Sequence, residues 1–339
     1  MNVIDALECS EPGSLRLVGR PSPVRLPGEI LVRPRRVGIC GTDYHIFEGK
    51  HPFLNYPRVM GHELAVEVIE TEEGSNFAVG DVAVVNPYLS CGHCIACRRG
   101  KPNCCTRIEV LGVHRDGGMT ELLSLPEGNL IRAEGLSLDA CATVEFLAIG
   151  AHAVRRSRAR TGDRVLVVGA GPIGLGAALF AARAGASLTV MDRDPERLTA
   201  ATTILGHVAT VVADSGSAAR IAELTGGDGF DIVFDATGNA ESIQAGFGAV
   251  AHGGTYVLVS VVKGDISFTD AEFHRREMSL LGSRNAMTED FSAVISAIRE
   301  GAIPIDALIT HRTALADAVE DLPRWAVQKH GLIKAIIEL

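Results

Sequence analysis

The sequence predicts an α/β protein in two domains, a β-rich N-terminal part followed by a doubly wound parallel sheet. Three observations lead there. The first 140 residues break into short apolar runs divided by Gly/Pro-rich loops. From about residue 163, runs that are apolar throughout alternate with amphipathic ones. A glycine triplet in "VLVVGAGPIGLG" stands where the first of those runs meets a helical pattern.

In the first part, "EILVRPRRVGI", "ELAVEVIE", "DVAVVNPY" and "MTELLSLP" read as strands, with loops such as "CGTDYHIFEGKHPFLNYP" between them. Strands joined by turn-rich loops indicate an irregular barrel or sandwich. In the second part, "RVLVVGAG", "SLTVMDRD", "HVATVVA", "FDIVFDATG" and "TYVLVSV" read as buried strands. The helical stretches "PIGLGAALFAARAG", "PERLTAATTILG", "SAARIAELTGG" and "NAESIQAGFGAVAHGG" fall between them. Fully apolar strands alternating with helices indicate a parallel sheet covered on both faces. "TYVLVSV" offers an edge strand for pairing with another copy. After residue 286, "TEDFSAVISAIREG" reads as a helix and "GLIKAIIEL" as a last strand. Periodicity leaves open which sheet that strand joins.

Composition narrows the function classes. The 339 residues, 47% hydrophobic and 22% charged, suffice for two cores and carry no disordered signature. A formal charge of −9 gives no long-range attraction to nucleic acid or an anionic membrane. The basic runs "VRPRRVG" and "AVRRSRAR" read as solvated faces. The N-terminus lacks the basic-then-apolar pattern of a secretion signal, and no apolar stretch is long enough to span a bilayer. Most of the eight cysteines lie in one cluster, which favours metal ligation in a reducing cytoplasm over disulfides.

Gly169, Gly171 and Gly174 form G-x-G-x-x-G between a strand and a helix. Such a triplet allows a tight turn, a close approach of pyrophosphate and close helix–strand packing, with phosphates received at the helix N-terminus. Asp192 ends the next strand at the expected interval of about twenty residues. Its carboxylate would accept adenosine ribose hydroxyls and repel a 2′-phosphate, favouring NAD over NADP. Arg193 beside it is the residue that could pair with the extra phosphate.

Cys91, Cys94 and Cys97 are spaced C-x2-C-x2-C, and Cys104 and Cys105 follow. Loops this short wrap four thiolates around one ion at roughly 2.3 Å. The candidates are zinc and an iron–sulfur cluster; the thioredoxin-like context of a redox C-x-x-C is absent. Adjacent cysteines cannot both face one ion comfortably, and spacing does not say which of Cys104 and Cys105 binds. A closed four-sulfur site orders a loop and does no chemistry. Elsewhere, Cys40, Thr42, Asp43 and His45 in "GICGTDYHIFEG", His62 and Glu63 in "GHE", and Glu145 in "CATVEFLAIGAHAVRR" provide thiolate, imidazole and carboxylate. That donor set suits a catalytic zinc with an open position.

"GICGTDYH", "GHE", the four-cysteine lobe, "GAGPIGLG" and "DATGN", in this order over nearly the whole chain, resemble the zinc-dependent medium-chain dehydrogenases. The resemblance implies a GroES-like catalytic domain over 1–150 with a structural zinc lobe at 91–105. It further implies a Rossmann domain over 151–285 and a segment, 286–339, returning to the first domain. It implies two zinc ions per subunit, Cys105 as fourth lobe ligand and Cys104 as the spare. Cys40 and His62 would bind the catalytic zinc with Glu63 or Glu145, and Asp43 would hold His62. Protons would leave through Thr42, a nicotinamide ribose hydroxyl and His45, whose imidazole titrates near neutrality. The implied cofactor contacts are Gly169, Gly171, Pro172, Ile173, Gly174, Asp192, Arg193, Arg197, Thr237, Gly238 and Arg284.

The implied reaction is oxidation of an alcohol with hydride transfer to NAD. "EFHRREMSLLGSRNA" and "VLGVHRDGGMTE" look most like the polyol and sugar-acid members, those acting on sorbitol, L-galactonate or L-gulonate; threonine dehydrogenases are also similar around "CGTDYHIFEG". A sugar acid needs a cation for its carboxylate, with His114, Lys263 and Arg284 as candidates. The resemblance also implies a homo-oligomer, dimer or tetramer, the cysteine usage a cytoplasmic one, and a non-catalytic zinc- and nucleotide-binding protein is the reading from another class.

Overall fold

The computed structural model describes residues 2–50 and 54–339. It divides into two compact units, Met1–Phe146 with Met287–Leu339, and Leu147–Ala286.

The first unit is organised on a seven-stranded sheet. Its strands run in the order Leu130–Arg132, Val82–Val85, Glu63–Glu70, Glu29–Ile39, Lys334–Glu338 and Ile309–Ala314, with Leu123–Pro126 also paired to Glu29–Ile39. The sequence's last strand therefore lies antiparallel to Glu29–Ile39, with Ala335 opposite Ile39. Strands with one charged face supply the buried apolar set Ile30, Val32, Val37, Leu64, Val66 and Ile337. The arginines of "VRPRRVG" face outward into ion pairs, Arg35 with Glu67 at 2.6 Å and Arg36 with Asp139 at 2.9 Å.

The stretch read as the loop "CGTDYHIFEGKHPFLNYP" contains the helix Gly41–Phe47, while its residues 51–53 lie outside the described residues. The helix starts there because Asp43 Oδ2 accepts the Cys40 N–H at 2.9 Å, satisfying a donor that a loop would leave to water. An antiparallel hairpin, Val3–Glu11 with Ser14–Pro21, precedes the strands read from the sequence. Glu145 is not at a helix start but two turns inside Leu138–Ser157.

The second unit holds a six-stranded, all-parallel sheet. Numbered along the chain, Arg164–Val168, Ser187–Asp192, Ala209–Val212, Phe230–Asp235, Val250–Leu258 and Ser279–Gly282 lie in the order 3-2-1-4-5-6. The order reverses at the first and fourth strands, where such sheets bind dinucleotides. "TYVLVSV" is not an edge: it pairs with Phe230–Asp235 on one side and with Ser279–Gly282 on the other. The short strand Ser279–Gly282 is the edge on that side, its apolar signal too brief to register in the sequence. The stretch read as one helix over "NAESIQAGFGAVAHGG" ends earlier. Ala240–Gly246 is helical, Phe247–Ala249 is a single tight turn, and Val250 opens the fifth strand. Among the described residues no helix is long and apolar enough to cross a membrane.

Candidate metal and dinucleotide sites

In the first unit, one ligand atom each from Cys40, His62 and Glu63 comes within 4.8 Å of the others. Chain geometry explains the meeting. Cys40 caps the helix Gly41–Phe47 just past the strand Glu29–Ile39, and Glu63 opens the neighbouring strand, opposite Gly38. All but Cys40 are buried, Glu63 completely.

The electrostatics are those of a site built around a cation. Burial by itself would pull the His62 pKa down, but the Asp43 carboxylate and the Cys40 thiol outweigh it and hold it well above normal. His62 Nδ1 is buried without a hydrogen-bond partner, although Asp43 Oδ1 is 3.8 Å away. Asp43 itself accepts N–H groups from Cys40 at 2.9 Å and Gly61 at 3.4 Å. Burial pushes the Glu145 carboxyl up to about 7. A soft thiolate, an imidazole and a buried carboxylate within 4.8 Å of one another fit zinc.

Two participants carried no signal in the sequence. Lys334, from the last strand, donates to both Glu63 oxygens at 2.8 and 2.7 Å. The Tyr88 hydroxyl donates to Glu145 Oε1, and burial raises the Tyr88 pKa well above its usual value. Only an inward-facing lysine in an otherwise apolar strand, "LIKAII", could have pointed to the first. Glu145 stands outside the cluster of Cys40, His62 and Glu63. Thr42 lies 3.8 Å from Cys40 Sγ, and exposed His45 follows three residues on, on the same helical face.

Among the described residues a second group that could hold a metal is Cys91, Cys94, Cys97 and Cys105, again within 4.8 Å of one another; Cys104 is exposed and outside it. Backbone N–H groups of Cys91 and Arg107 each point at Cys105 Sγ from 3.3 Å. Backbone donors of Cys97 and Thr106 draw the Cys94 thiol down to about 5. N–H groups aimed at sulfur favour thiolates, the form that binds metal.

In the second unit, Gly169 has φ +99°, left-handed backbone that side chains resist. A Cβ on Gly174 would strike the Gly169 carbonyl, so the helix Pro172–Arg183 packs where only glycine fits. Above Gly171 a Cβ would meet only the Arg197 guanidinium, at 3.8 Å. The loop is thus open where a pyrophosphate would lie. Asp192 Oδ2 accepts the Ala170 N–H at 2.7 Å and Oδ1 the Asp194 N–H at 2.9 Å, leaving each oxygen a lone pair for a ribose hydroxyl. Arg193 is exposed beside it. Beyond the fourth strand, Thr237 donates to Asp235 and the Gly238 N–H to Ser260 Oγ at 2.7 Å. Lys263 and Arg284 are exposed past the fifth and sixth strands, and His114 is exposed in the first unit, its Nδ1 accepting the Val110 N–H at 3.1 Å.

A glycine-looped parallel sheet and a thiolate–imidazole–carboxylate cluster define a nucleotide-dependent oxidoreductase with metal assistance. The family model described as alcohol dehydrogenase GroES-like domain matches residues 26–135, and the one described as zinc-binding dehydrogenase matches 172–300. The L-galactonate-5-dehydrogenase of Escherichia coli K12 is 41% identical over 99% of this chain and 99% of its own length. Among solved structures, a short chain alcohol dehydrogenase (rspB) of Escherichia coli CFT073 in complex with NADH superposes with TM-score 0.93 at 27% identity, covering 100% of each chain. A Sinorhizobium meliloti 1021 protein described as a zinc-binding dehydrogenase and bound to NADP gives 0.91 at 27%, also covering 100% of each. The chain belongs to the zinc-type medium-chain dehydrogenase/reductase family, close to its sugar-acid and polyol members, and acts on a CH–OH group with a nicotinamide cofactor.

Proposed function

We propose that the protein oxidises a secondary hydroxyl of an aldonate, such as L-galactonate or L-gulonate, or of a polyol, to the ketone with NAD+. The observation that carries the substrate class is the 41% identity, end to end, with an L-galactonate-5-dehydrogenase. Zinc, when bound, supplies a Lewis acid that acidifies the substrate hydroxyl, and NAD+ supplies the hydride acceptor. Cys40 and His62, with Glu63 or Glu145, would hold that ion, and Cys91, Cys94, Cys97 and Cys105 a second, structural one. Asp43, whose Oδ1 lies 3.8 Å from His62 Nδ1, would hold the ring by its charge. Thr42 and His45, a helical turn apart, mark the inner and exposed ends of the proton's route. Gly169, whose own N–H donates to the Met191 carbonyl at 2.7 Å, makes the turn that would leave the Gly171 and Gly174 N–H groups for the pyrophosphate, and Pro172, Ile173 and Arg197 would complete that cradle. Asp192 favours NAD by accepting ribose hydroxyls and repelling a 2′-phosphate; a lower KM for NADP would refute that preference. Arg284, Lys263 and His114 are the candidate cations for the substrate carboxylate.

The open sheet edge at Ser279–Gly282, with Leu280 exposed, supports assembly with a second copy, and eight free cysteines fit a reducing cytoplasm. The deciding experiment offers zinc-loaded enzyme and NAD+ a panel of sugar acids, polyols, L-threonine and primary alcohols, read by NADH absorbance. Turnover of an aldonate or polyol above the rest is expected. Preference for L-threonine or for primary alcohols would overturn the assignment.

A further inference from the structure

Three adjacent strands converge beside the buried cluster. Glu29–Ile39 lies between Glu63–Glu70 and Lys334–Glu338, bringing together a glutamate and a lysine that are 271 residues apart. Gly38 makes the meeting possible: a Cβ there would occupy the space of the Glu63 carboxylate, which lies across it. Lys334 Nζ donates to Glu63 Oε1 and Oε2 and, at 3.1 Å, to the Ile39 carbonyl. The Phe146 ring lies against the ammonium, 4.3 Å from its centroid. All three ammonium protons are thereby used, and Lys334 is only 1% exposed. It has no proton left for a substrate, so any effect on the reaction passes through Glu63.

We propose that Lys334 is a positioning residue that governs how firmly Glu63 can bind the metal, because ammonium and metal compete for the same two carboxylate oxygens. This rests on reading Cys40, His62 and Glu63 as a metal site. A buried ion pair is a poor source of stability, since desolvation offsets most of its attraction. Here it has a second consequence: a carboxylate already shared with a cation is a weaker donor, so Glu63 stays exchangeable and the metal keeps a position open.

The test compares zinc release from the full chain into a chromogenic chelator, with the visible absorption of the cobalt-substituted protein as a second readout. Lys334→Met should slow release from this site about tenfold and shift the cobalt bands, leaving release from the four-cysteine lobe unchanged. Lys334→Arg should track the wild type. Wild-type rates and spectrum in folded Lys334→Met would overturn the proposal. Because that variant leaves Glu63 buried without its partner, the same change is also made in a Glu63→Gln background, where no carboxylate charge remains. Less than a twofold difference between Glu63→Gln and the double variant is expected there. A tenfold slowing would mean bare charge acting on the metal, and would overturn positioning. A wild type that takes up one ion per chain would instead remove the metal reading beneath it.

Discussion

The lobe and the buried cluster both gather cysteine, yet they are made in opposite ways. The lobe's four sulfurs come from residues 91–105, three of them partly exposed, held by turns and by N–H groups of the same loop. The other cluster draws Cys40 from the residue after one strand, His62 from the residue before a second and Glu63 from its first position, while Lys334 on a third strand pairs with Glu63. There Glu63 is 0% exposed and Lys334 1%. A contiguous loop keeps its charges near water and needs little beyond itself. A cluster assembled across a sheet must remove carboxylates from water, and every charge then needs a partner. The comparison teaches where lability belongs: a structural ion sits in a local, saturated shell, while a working ion sits among groups already balanced against one another.

The largest effect expected from breaking one side of this comparison is at Cys40. Cys40→Ala should lower kcat/KM at least about a thousandfold, the scale of losing a Lewis acid. Metal analysis should fall from two ions to one, with the lobe ion retained. On the other side, Cys97→Ser should cost the lobe ion and lower the thermal unfolding midpoint by about 10 °C, since a structural ion contributes folding free energy. The protein that remains folded should keep its kcat within a few-fold, as read by calorimetry and steady-state kinetics. A collapse of kcat would show that the lobe is not merely structural.

Tyr88→Phe sharpens the buried side. It removes the hydroxyl that donates to Glu145 and leaves a buried carboxyl short of one donor, a cost of about 1–3 kcal/mol. A fall of about tenfold in kcat/KM with both ions retained is expected from kinetics and metal analysis. The smallest effect should come from Cys104→Val, which keeps both ions because that thiol is exposed and outside the four-sulfur group, whereas Cys105→Ser should lose one.

Legibility divides along the same line. The lobe spacing, the glycine triplet and Asp192 are short-range patterns, and chain connectivity alone brings their atoms together. The alternation of apolar strands and helices after residue 163 points to a parallel sheet because its central strands, Arg164–Val168 and Phe230–Asp235, are buried on both faces. The Val3–Glu11 hairpin went unread because charged residues interrupt its apolar pattern, and the helix Gly41–Phe47 because its start depends on one carboxylate, Asp43, folding back to Cys40. Ser279–Gly282, one of the sheet's two edge strands, is too short for periodicity to register, so the sequence pattern makes its neighbour look like the edge.

By itself the sequence determined the donor types, the closed lobe's spacing and the dinucleotide turn, since these depend on neighbours a few residues away. Tertiary structure alone decided that the last strand lies against Glu29–Ile39, that Gly38 leaves room for Glu63, and that Lys334 and Tyr88 complete the buried carboxylates' partners. Strand register sets which distant side chains face each other, and no local pattern encodes it.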